Sequence, residues 1–430
     1  MVQAGNKKDS YDVIIIGAGP AGLAAALGAT EGGAEKVLII DRDTYAGGIL
    51  NQCIHPGFGI KRFREELTGP EYANAYADMV KKQVGIEYLF DTFVYAIEKD
   101  RQVVVSNAAK GIRAIQAKAI VLAMGCREAS RGSVSIPGYR PAGIFTAGTA
   151  QRLINIEGLM PGKEVVILGS GDIGLIMARR FTIEGARVKA VVEMLSNPGG
   201  LSKNVVQCIE DFDIPMQLSK TVTFIDGKER VCGVKTASVD KKGKPIPGTG
   251  EYIECDTLLL SIGLIPENEL SRAAGIDVDP VTGGPIIDNM MHTSREGIFA
   301  GGNAVHVYDL VDHVSQDSHI AGVNAGEYAR KGNIESGEVI SLEAGQAIRH
   351  IVPQKIRIPS AGSPNNIISL RVNRYFKKTK FTLAADGKKI GTLQRPYAVP
   401  TEMLRMDITN YLNDLPGKKV LRIDAEEVLS

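Results

Sequence analysis

Residues 11–41 read YDVIIIGAGPAGLAAALGATEGGAEKVLIID, and residues 164–193 read EVVILGSGDIGLIMARRFTIEGARVKAVVE. Each stretch consists of an apolar run, the motif GxGxxG, a helical segment that ends in glycine, a second apolar run and an acidic residue. The first glycine and the acid are 24 positions apart in both copies, from Gly17 to Asp41 and from Gly169 to Glu193. This is the size of one βαβ unit, so the sequence predicts an α/β fold with two Rossmann-like dinucleotide-binding domains.

The three glycines of each motif have different steric roles. The first permits a tight turn, the second lets the backbone approach a pyrophosphate, and the third lets the helix pack against the strand. N–H groups at the start of the helix can then bind phosphates, and the acid can accept hydrogen bonds from ribose hydroxyls. A glycine-rich turn without a ligand is the alternative for one motif, but two copies in the same context disfavour it. The candidate residues are Gly17, Gly19, Pro20, Ala21, Gly22, Asp41 and Arg42 in the first copy and Gly169, Gly171, Asp172, Ile173, Gly174 and Glu193 in the second.

Composition restricts the class of protein. The chain has 430 residues, 44% of them hydrophobic, and a net charge of +1, which predicts a globular protein of several domains without a nucleic-acid partner. Its five cysteines are odd in number and include no CxxC pair, which argues against a disulfide framework or a zinc site and favours a reducing cytoplasm. The polar N-terminus predicts no signal peptide. The uncharged run 13–30 is interrupted by glycine and proline, so we expect a strand, a turn and a helix rather than a membrane span.

Further apolar segments predict how the two domains are interleaved. Strands are expected at 119–125 (AIVLAMG), within 255–266 (CDTLLLSIGLIP) and within 297–303 (GIFAGGN), followed by a helix at about 312–330. The chain from 346 onward differs, because its alternating pattern surrounds the dipeptide Asp386-Gly387, a strong hairpin signal. We therefore expect a small β-rich C-terminal domain.

Together these motifs resemble the two-dinucleotide-binding-domain flavoproteins, which include the pyridine nucleotide-disulfide oxidoreductases. The resemblance covers about residues 10–330 and rests on GAGPAG, Asp41, Gly47-Gly48, AMG, GSGDIG, SIGLIP and GIFAGGN. It implies that FAD is bound by a domain made of 9–152 and 283–345, that NAD(H) is bound by the inserted domain 153–282, and that 346–430 form the β-rich domain. It adds Gly48, Gly125, Gly302, Asn303 and Asp312 as FAD-binding candidates and Gly263 as an NAD-binding candidate.

Three shorter segments resemble a subgroup of that family: NQCIHPGFG at 51–59, TGPEY at 68–72 and NAVHVYDLVD at 303–312. The subgroup includes NAD-linked flavoprotein subunits encoded beside anaerobic glycerol-3-phosphate dehydrogenase, and small subunits of opine oxidase, hydrogen cyanide synthase and dye-linked proline dehydrogenase. The resemblance implies a partner dehydrogenase or iron-sulfur subunit. We expect a cytoplasmic location, either free or at the periphery of a membrane-bound dehydrogenase complex.

Two departures from the family pattern change the expected chemistry. The disulfide reductases carry CxxxxC after the Gly-Gly pair, whereas this sequence reads GGILNQCIH, with Leu50 near the first cysteine position and only Cys53 remaining. An internal dithiol is therefore not expected. At Asn303 the wider family usually has an aspartate that bonds the ribityl chain, and an amide can still make a hydrogen bond there.

Cys53 and His55 are the candidate catalytic residues. Cys53 is either a lone redox thiol or a packed thiol in the wall of the flavin pocket, and His55 is either a proton donor or a wall residue. The absence of an arginine after Glu193 favours NADH over NADPH, because a carboxylate repels a 2′-phosphate. The N-terminus of the helix near Asp312 is expected to stabilise negative charge on reduced flavin.

Other polar residues are expected to be structural. The cluster of His306, Asp309, Asp312 and His313 is irregularly spaced, which favours loop and helix-cap roles over metal binding. The four remaining cysteines are expected to be buried apolar groups: Cys126, Cys208, Cys232 and Cys255.

The C-terminal part of the chain is basic. From 346 to the end there are 15 Lys and Arg against 7 Asp and Glu, which either attracts an acidic partner subunit or forms a solvated face of a β-ribbon. The sequence as a whole predicts an FAD-containing oxidoreductase that transfers hydride between NAD(H) and flavin and exchanges electrons with a partner dehydrogenase subunit. The alternatives are a stand-alone NADH oxidase or peroxidase that uses Cys53, and a nucleotide-binding assembly subunit without catalysis.

Overall fold

The structure is a computed structural model that describes residues 10–334, 337–359 and 366–428. The chain forms two units. Unit 1 combines residues 1–126 with 266–430, and unit 2 is the insertion 127–265. The second unit therefore interrupts the first in sequence.

Unit 1 begins with a βαβ unit and continues into an antiparallel extension. Its first helices and strands are β1 (Ser10–Ile16), α1 (Pro20–Glu31), β2 (Val37–Ile40), β3 (Pro56–Phe58), β4 (Leu67–Thr68), α2 (Gly69–Lys81), β5 (Ile86–Leu89), β6 (Thr92–Ile97), β7 (Gln102–Asn107) and β8 (Gly111–Leu122). Short 3-10 helices lie at Gly48–Gln52 and Lys99–Arg101.

Unit 2 is connected to unit 1 by two short strands that pair with each other, β9 and β18. The elements from one to the other are β9 (Cys126–Glu128), α3 (Arg131–Val134), β10 (Ile144–Thr146), α4 (Ala147–Asn155), β11 (Glu164–Leu168), α5 (Asp172–Ile183), β12 (Arg187–Val192), α6 (Ser202–Cys208), β13 (Met216–Gln217), β14 (Lys220–Asp226), β15 (Gly233–Ser238), β16 (Glu251–Glu254), β17 (Thr257–Leu260) and β18 (Leu264–Pro266). A 3-10 helix lies at Glu210–Phe212.

The chain then completes unit 1 and forms the C-terminal sheets. These elements are α7 (Glu269–Ala273), β19 (Ile298–Ala300), α8 (Val311–Lys331), β20 (Gly337–Ala344), β21 (Ile348–Val352), β22 (Lys355–Pro359), β23 (Ile367–Val372), β24 (Thr379–Ala385), β25 (Lys388–Arg395), β26 (Leu404–Asp407) and β27 (Val420–Glu427). The 3-10 helices here are Gly302–Ala304 and Thr409–Asp414.

The main sheet of unit 1 has the strand order β5-β2-β1-β8-β7-β6, with β19 also paired to β8. β1 lies parallel to both β2 and β8, so the first glycine motif follows the carboxyl end of a central strand. The uncharged run 13–30 becomes most of β1, a turn and most of α1, as predicted. Among the described residues, no helix is long and apolar enough to span a membrane.

Helices α1 and α8 pack backbone against backbone. A Cβ atom at Gly28 would overlap the carbonyl oxygen of His319, and one at Gly322 would overlap that of Ala25. Glycine is required at these positions because only its missing side chain permits so close an approach. The predicted helix at 312–330 is confirmed as α8, which ends at Gly332 with a positive φ of 78°.

Unit 2 contains a parallel sheet in the order β10-β17-β11-β12-β13 and an antiparallel sheet of β14, β15 and β16. β11 is parallel to β12 and β17, so the second glycine motif also follows a central strand. The predicted α/β class with two Rossmann-like halves is confirmed.

The C-terminal strands form two sheets around a core of their own, in the orders β22-β20-β27-β24-β25 and β21-β23-β26. The predicted hairpin is confirmed, because Asp386 and Gly387 join β24 to β25 with φ values of 45° and 79°. The first strand begins at Gly337, before the predicted start at 346, and belongs to this β-rich region because it pairs with β22 and β27.

The boundaries between the units differ from the predicted domain boundaries at 152/153 and 282/283. The division falls earlier at both positions, before Arg127 and before Pro266. Unit 2 begins before the predicted boundary at 152/153 because its parallel sheet already includes β10, which pairs with β17. On return to unit 1, Asn268 donates a hydrogen bond to the carbonyl oxygen of Ala304, at 2.7 Å.

A buried ion pair joins α8 to the C-terminal sheets. The guanidinium of Arg405 donates two hydrogen bonds to the carboxylate of Asp317, both 2.8 Å long, and the hydroxyl of Tyr308 donates a third, also 2.8 Å. The two charged side chains are only 13% and 8% exposed, so removal of one would leave the other buried without its counter-charge.

We predict that Arg405→Met lowers the free energy of unfolding by about 3–5 kcal/mol, as expected for breaking a buried pair. Urea denaturation followed by circular dichroism measures this change. Lys331→Met is the matched control, since Lys331 forms an exposed ion pair with Glu327 on the same helix, and its loss should cost about 0.5 kcal/mol or less. Equal effects of the two substitutions would contradict the assigned role of the buried pair.

Candidate functional site

The first glycine motif forms a tight turn between β1 and α1. Gly17 has a φ of 112°, and a Cβ atom there would overlap the carbonyl oxygen of Ala123 at the end of β8. A Cβ at Gly22 would overlap the carbonyl oxygen of Gly17, so the helix packs directly on the turn. Both positions therefore require glycine for the reasons predicted from the motif.

The N-terminus of α1 is suited to an anionic group. Its N-cap residue is Gly19, Pro20 follows, and neither a capping side chain nor an acidic residue occupies the first turn. Backbone N–H groups and the positive end of the helix dipole are therefore available for phosphate oxygens.

Asp41 braces the turn from the end of β2. One carboxylate oxygen accepts the N–H of Ala18 at 2.5 Å, and the other accepts the N–H of Asp43 at 2.9 Å. Each oxygen keeps a further lone pair that can accept a ribose hydroxyl. The neighbouring Arg42 is exposed.

Two later segments meet the first motif. A Cβ at Gly48 would lie 3.0 Å from the Cα of Gly19, and one at Gly302 would lie 2.6 Å from the Cβ of Ala21. Residues from three separate parts of the sequence thus converge on one backbone cradle. FAD fits this donor set, because its pyrophosphate requires N–H groups and close backbone approach. A Cβ atom at Gly125 would meet no neighbouring atom within 4 Å.

Asn303 follows Gly302, and both polar atoms of its side-chain amide form hydrogen bonds. Its Nδ2 donates to the sulfur of Cys126 at 3.5 Å, and its Oδ1 accepts the N–H of Tyr308 at 3.1 Å. Asp312 lies in the first turn of α8 and accepts the N–H of Arg62 at 2.9 Å. Its side chain therefore binds the loop between β3 and β4.

Cys53 and His55 follow the 3-10 helix that begins at Gly48. Cys53 is half-buried, and its thiol donates to the carbonyl oxygen of Ile49 at 3.3 Å. His55 is also half-buried, with Nδ1 3.0 Å from the carbonyl oxygen of Pro56 and its ring 5.1 Å from that of Phe58. None of the five cysteines, all of which the structure describes, forms a disulfide.

The second motif repeats the geometry of the first within unit 2. Gly169 has a φ of 97°, and a Cβ there would overlap the carbonyl oxygen of Ser261 at the end of β17. Gly174 packs on the turn, with a Cβ position 2.6 Å from the carbonyl oxygen of Gly169. The N-cap of α5 is Gly171, again without a capping side chain.

Glu193 stabilises the second glycine turn by hydrogen bonds, as Asp41 stabilises the first. One oxygen accepts the N–H of Ser170 at 2.9 Å and its hydroxyl at 2.6 Å, and the other accepts the N–H of Leu195 at 2.8 Å. The carboxylate is buried, and no arginine follows it in the sequence 194–200. Beyond β17, Gly263 has a φ of 110° and an open Cβ direction.

The side chains of Asp172 and Ile173, two of the predicted NAD-binding residues, contact other parts of unit 2. One carboxylate oxygen of Asp172 accepts the N–H of Leu201 at 2.8 Å and the amide of Asn204 at 2.6 Å, so it holds the loop before α6. Ile173 packs against the apolar core of unit 2. Their contact with a nucleotide stays a prediction.

Two contacts near these sites were not predicted. The hydroxyl of Ser170 accepts the N–H of Gly199 at 2.8 Å, which ties the second turn to the following loop. Lys61 lies 2.9 Å from Nε2 of His313, and burial, followed by the charges of Arg405 and Lys61, lowers the pKa of His313 to about 4. The run IKRFR at 60–64 was the available sequence signal, but it did not indicate which distant residue it meets.

The polar cluster after Asn303 has structural roles. Asp309 pairs with Arg371 and accepts the N–H of Met403 at 2.6 Å, while His306 is buried and stacks on Tyr308. Burial and the neighbouring His350 and arginine charges lower the pKa of His306. Within the part of the chain that the structure describes, no group of His, Cys, Asp or Glu could hold a metal ion.

The expectation that the other four cysteines are buried was partly wrong. Cys208 and Cys255 are buried, and burial raises the pKa of the Cys255 thiol to about 12. Cys126 is half-buried. Cys232 is exposed, and it directly precedes β15.

Comparison with known proteins gives a family match. The model of the family described as pyridine nucleotide-disulphide oxidoreductase matches residues 11–318. Among curated proteins, an opine oxidase subunit of Rhizobium meliloti is 27% identical over 372 residues, which cover 79% of this chain and 64% of that protein. Hydrogen cyanide synthase subunit HcnB of Pseudomonas protegens is 25% identical, covering 62% and 60%. The chain therefore spans less than two thirds of the length of these relatives.

The fold is also found in solved structures. The thioredoxin reductase of T. acidophilum is 23% identical and superimposes with a TM-score of 0.61, covering 76% of this chain and all of that one. By sequence, the thioredoxin reductase of Listeria innocua is 26% identical over 78% of this chain and 98% of its own length.

The hydrogen bonds of Asp41 and Glu193 predict that alanine at each position weakens the binding of a different nucleotide. Asp41→Ala should raise the dissociation constant for FAD about tenfold to a hundredfold, because it removes two charge-assisted hydrogen bonds that hold the first turn. Glu193→Ala, the matched control in the second copy, should leave FAD affinity unchanged and weaken NADH binding similarly. Titration of apoprotein with FAD and of FAD-loaded protein with NADH measures both constants. Loss of FAD affinity in Glu193→Ala alone would reverse the assignment of the two cradles.

Proposed function

The chain belongs to the pyridine nucleotide-disulphide oxidoreductase family, and from this premise we propose that it passes electrons between NAD(H) and a partner dehydrogenase subunit. Family members depend on FAD and NAD(P)H, so the chain is an FAD-dependent NAD(P)H oxidoreductase. The partner, the preferred nucleotide and the residue roles below belong to the proposal.

The observation that carries the proposal is the segment GGILNQCIH. It keeps the Gly-Gly pair that meets the first glycine motif, but Leu50 lies near the position of a first cysteine and Cys53 is not in a disulfide. One thiol cannot supply an internal dithiol, so electrons that reach the flavin must leave to another acceptor. The relatives named as subunits of opine oxidase and hydrogen cyanide synthase support an acceptor on a second polypeptide.

The partner is proposed to carry a flavin or iron-sulfur centre and to act on a substrate such as glycerol 3-phosphate. The sequence contains no cysteine after Cys255, so its C-terminal region contains no cysteine ligands for a cluster. The basic C-terminal region, with its 15 Lys and Arg, supports an acidic partner surface.

The residues of this chain would act mainly by binding and orientation. Gly17, Gly19 and Gly48 would allow the backbone to approach the FAD pyrophosphate, and Asp41 would hold the turn while accepting ribose hydroxyls. Glu193 would do the same for the nicotinamide nucleotide. Bound FAD would supply the group that accepts hydride and releases electrons.

Glu193 also supports a preference for NADH. Its carboxylate is buried and fixed by Ser170 and Leu195, so it cannot move away from a 2′-phosphate at low cost.

We expect kcat/KM for NADH to exceed that for NADPH by about tenfold or more, as for a like-charge contact of a few kcal/mol. Glu193→Gln should lower the ratio of kcat/KM for NADH to kcat/KM for NADPH. Glu184→Gln, which removes an exposed carboxylate at the end of α5, should leave it unchanged. Equal use of both nucleotides by the unmodified protein would contradict this role.

The second candidate function is a stand-alone NADH oxidase or peroxidase that uses Cys53. The observation in its favour is that this thiol is half-buried and not in a disulfide. Cys53→Ser separates the two functions. The partner proposal predicts that NADH-dependent reduction of dichlorophenolindophenol changes less than about twofold, because the thiol is not in the electron path. Cys232→Ser, an exposed thiol of unit 2, is the control. Peroxide-dependent NADH oxidation that disappears in Cys53→Ser but not in Cys232→Ser would favour the second candidate.

The partner itself is tested by affinity purification from the native host. The proposal predicts that a dehydrogenase subunit co-purifies and that the complex reduces the dye with glycerol 3-phosphate or NADH. The proposal is overturned if the chain purifies without a partner and by itself reduces peroxide with NADH at its maximal rate.

A further inference from the structure

A cavity of about 590 Å³ opens on unit 2 between the loop that follows β9 and the ends of β10 and β17. This volume lies within the range of small-molecule sites in proteins. The residues that line the cavity come from 130–146, together with Leu260. Neither the second glycine motif nor Glu193 is among them, so the cavity is separate from the nucleotide cradle of the same unit.

The lining of the cavity is basic. It includes Arg131 and Arg140, and none of the lining residues is Asp or Glu. Within the described residues, neither arginine forms an ion pair. Burial, followed by the charge of Arg140, lowers the pKa of Arg131. Two neighbouring cations without a carboxylate are typical of a site for an anion.

Arg131 is held in place by the loop itself. Its Nη2 donates to the carbonyl oxygens of Ile136 and Gly138, at 2.9 and 3.3 Å. A guanidinium that is already oriented loses little conformational freedom when it binds a ligand. Ser135 and Thr146 also line the cavity, and each hydroxyl already forms a hydrogen bond within the chain.

The lining also includes apolar side chains. Ile136 and Leu260 are almost completely buried, and with Ile144 they belong to the core beneath the antiparallel sheet of unit 2. The cavity therefore offers a ligand two guanidinium groups and hydrocarbon within one lining.

We propose that this cavity binds a small amphipathic organic anion, with a carboxylate, sulfonate or phosphate group on Arg131 and Arg140 and an apolar body against Ile136 and Leu260. The site is independent of the proposed electron transfer, because it uses none of the residues assigned to either nucleotide.

The test uses 8-anilinonaphthalene-1-sulfonate as the probe, since it joins one sulfonate to an aromatic body. Isothermal titration of the full-length, FAD-loaded protein should show one site per chain. Arg140→Gln should weaken binding about tenfold through loss of a charge-assisted contact, and Arg131→Gln should weaken it at least as much. Arg187→Gln is the matched control, because it removes the same charge from an exposed position on β12 of the same unit.

Two further measurements complete the test. Saturating NADH should leave the affinity for the probe unchanged, because the cavity and the nucleotide cradle share no residue. The melting temperature of Arg140→Gln should equal that of the unmodified protein, since this arginine is exposed. Equal affinities in Arg140→Gln and Arg187→Gln, or displacement of the probe by NADH, would overturn the proposal.

Discussion

A carboxylate at the end of the second strand holds the glycine turn after the first strand, and this contact occurs once in each unit. Asp41 accepts the N–H of Ala18, and Glu193 accepts that of Ser170. A hydrogen bond to an ionised group contributes about 1.5–3 kcal/mol, which is enough to fix the turn in one conformation. The fixed turn places an uncapped helix N-terminus and a carboxylate at the two ends of one cradle. Phosphate binding and ribose recognition both depend on that arrangement.

The chain departs from the disulfide reductases at Asn303 and, with greater consequence for redox chemistry, at the segment GGILNQCIH. This segment retains the backbone approach of Gly48 to Gly19 and leaves Cys53 as a single thiol outside any disulfide. The steric requirements of the cradle and the redox requirements of a dithiol are therefore separate in this fold. A protein that keeps the first without the second can bind the same cofactors and deliver electrons to a different acceptor.

The local features of the fold were predictable from the sequence, because they depend on short-range spacing. The two glycine turns, helix α8 and the hairpin at Asp386 and Gly387 each follow from residues only a few positions apart. The unit boundaries could not be located from such spacing, since β10 joins the sheet of unit 2 through pairing with β17 more than a hundred positions later.

Side-chain direction was less predictable. Asp172 looked like part of a nucleotide motif, yet its carboxylate binds Leu201 and Asn204, which the motif does not specify. The contact of Lys61 with His313 likewise joins residues that are distant in sequence. Glycine positions could be assigned because steric demands are local, whereas these polar contacts depend on which loops meet.

The central claim is that the two cradles bind FAD and NADH so that hydride passes between them. The most direct measurement is an anaerobic titration of the purified, FAD-loaded protein with NADH, followed by the visible absorbance of the flavin. The account predicts that the yellow colour is lost after addition of about one equivalent of NADH, as expected for a two-electron transfer. A protein that binds both nucleotides but stays yellow with excess NADH would contradict it.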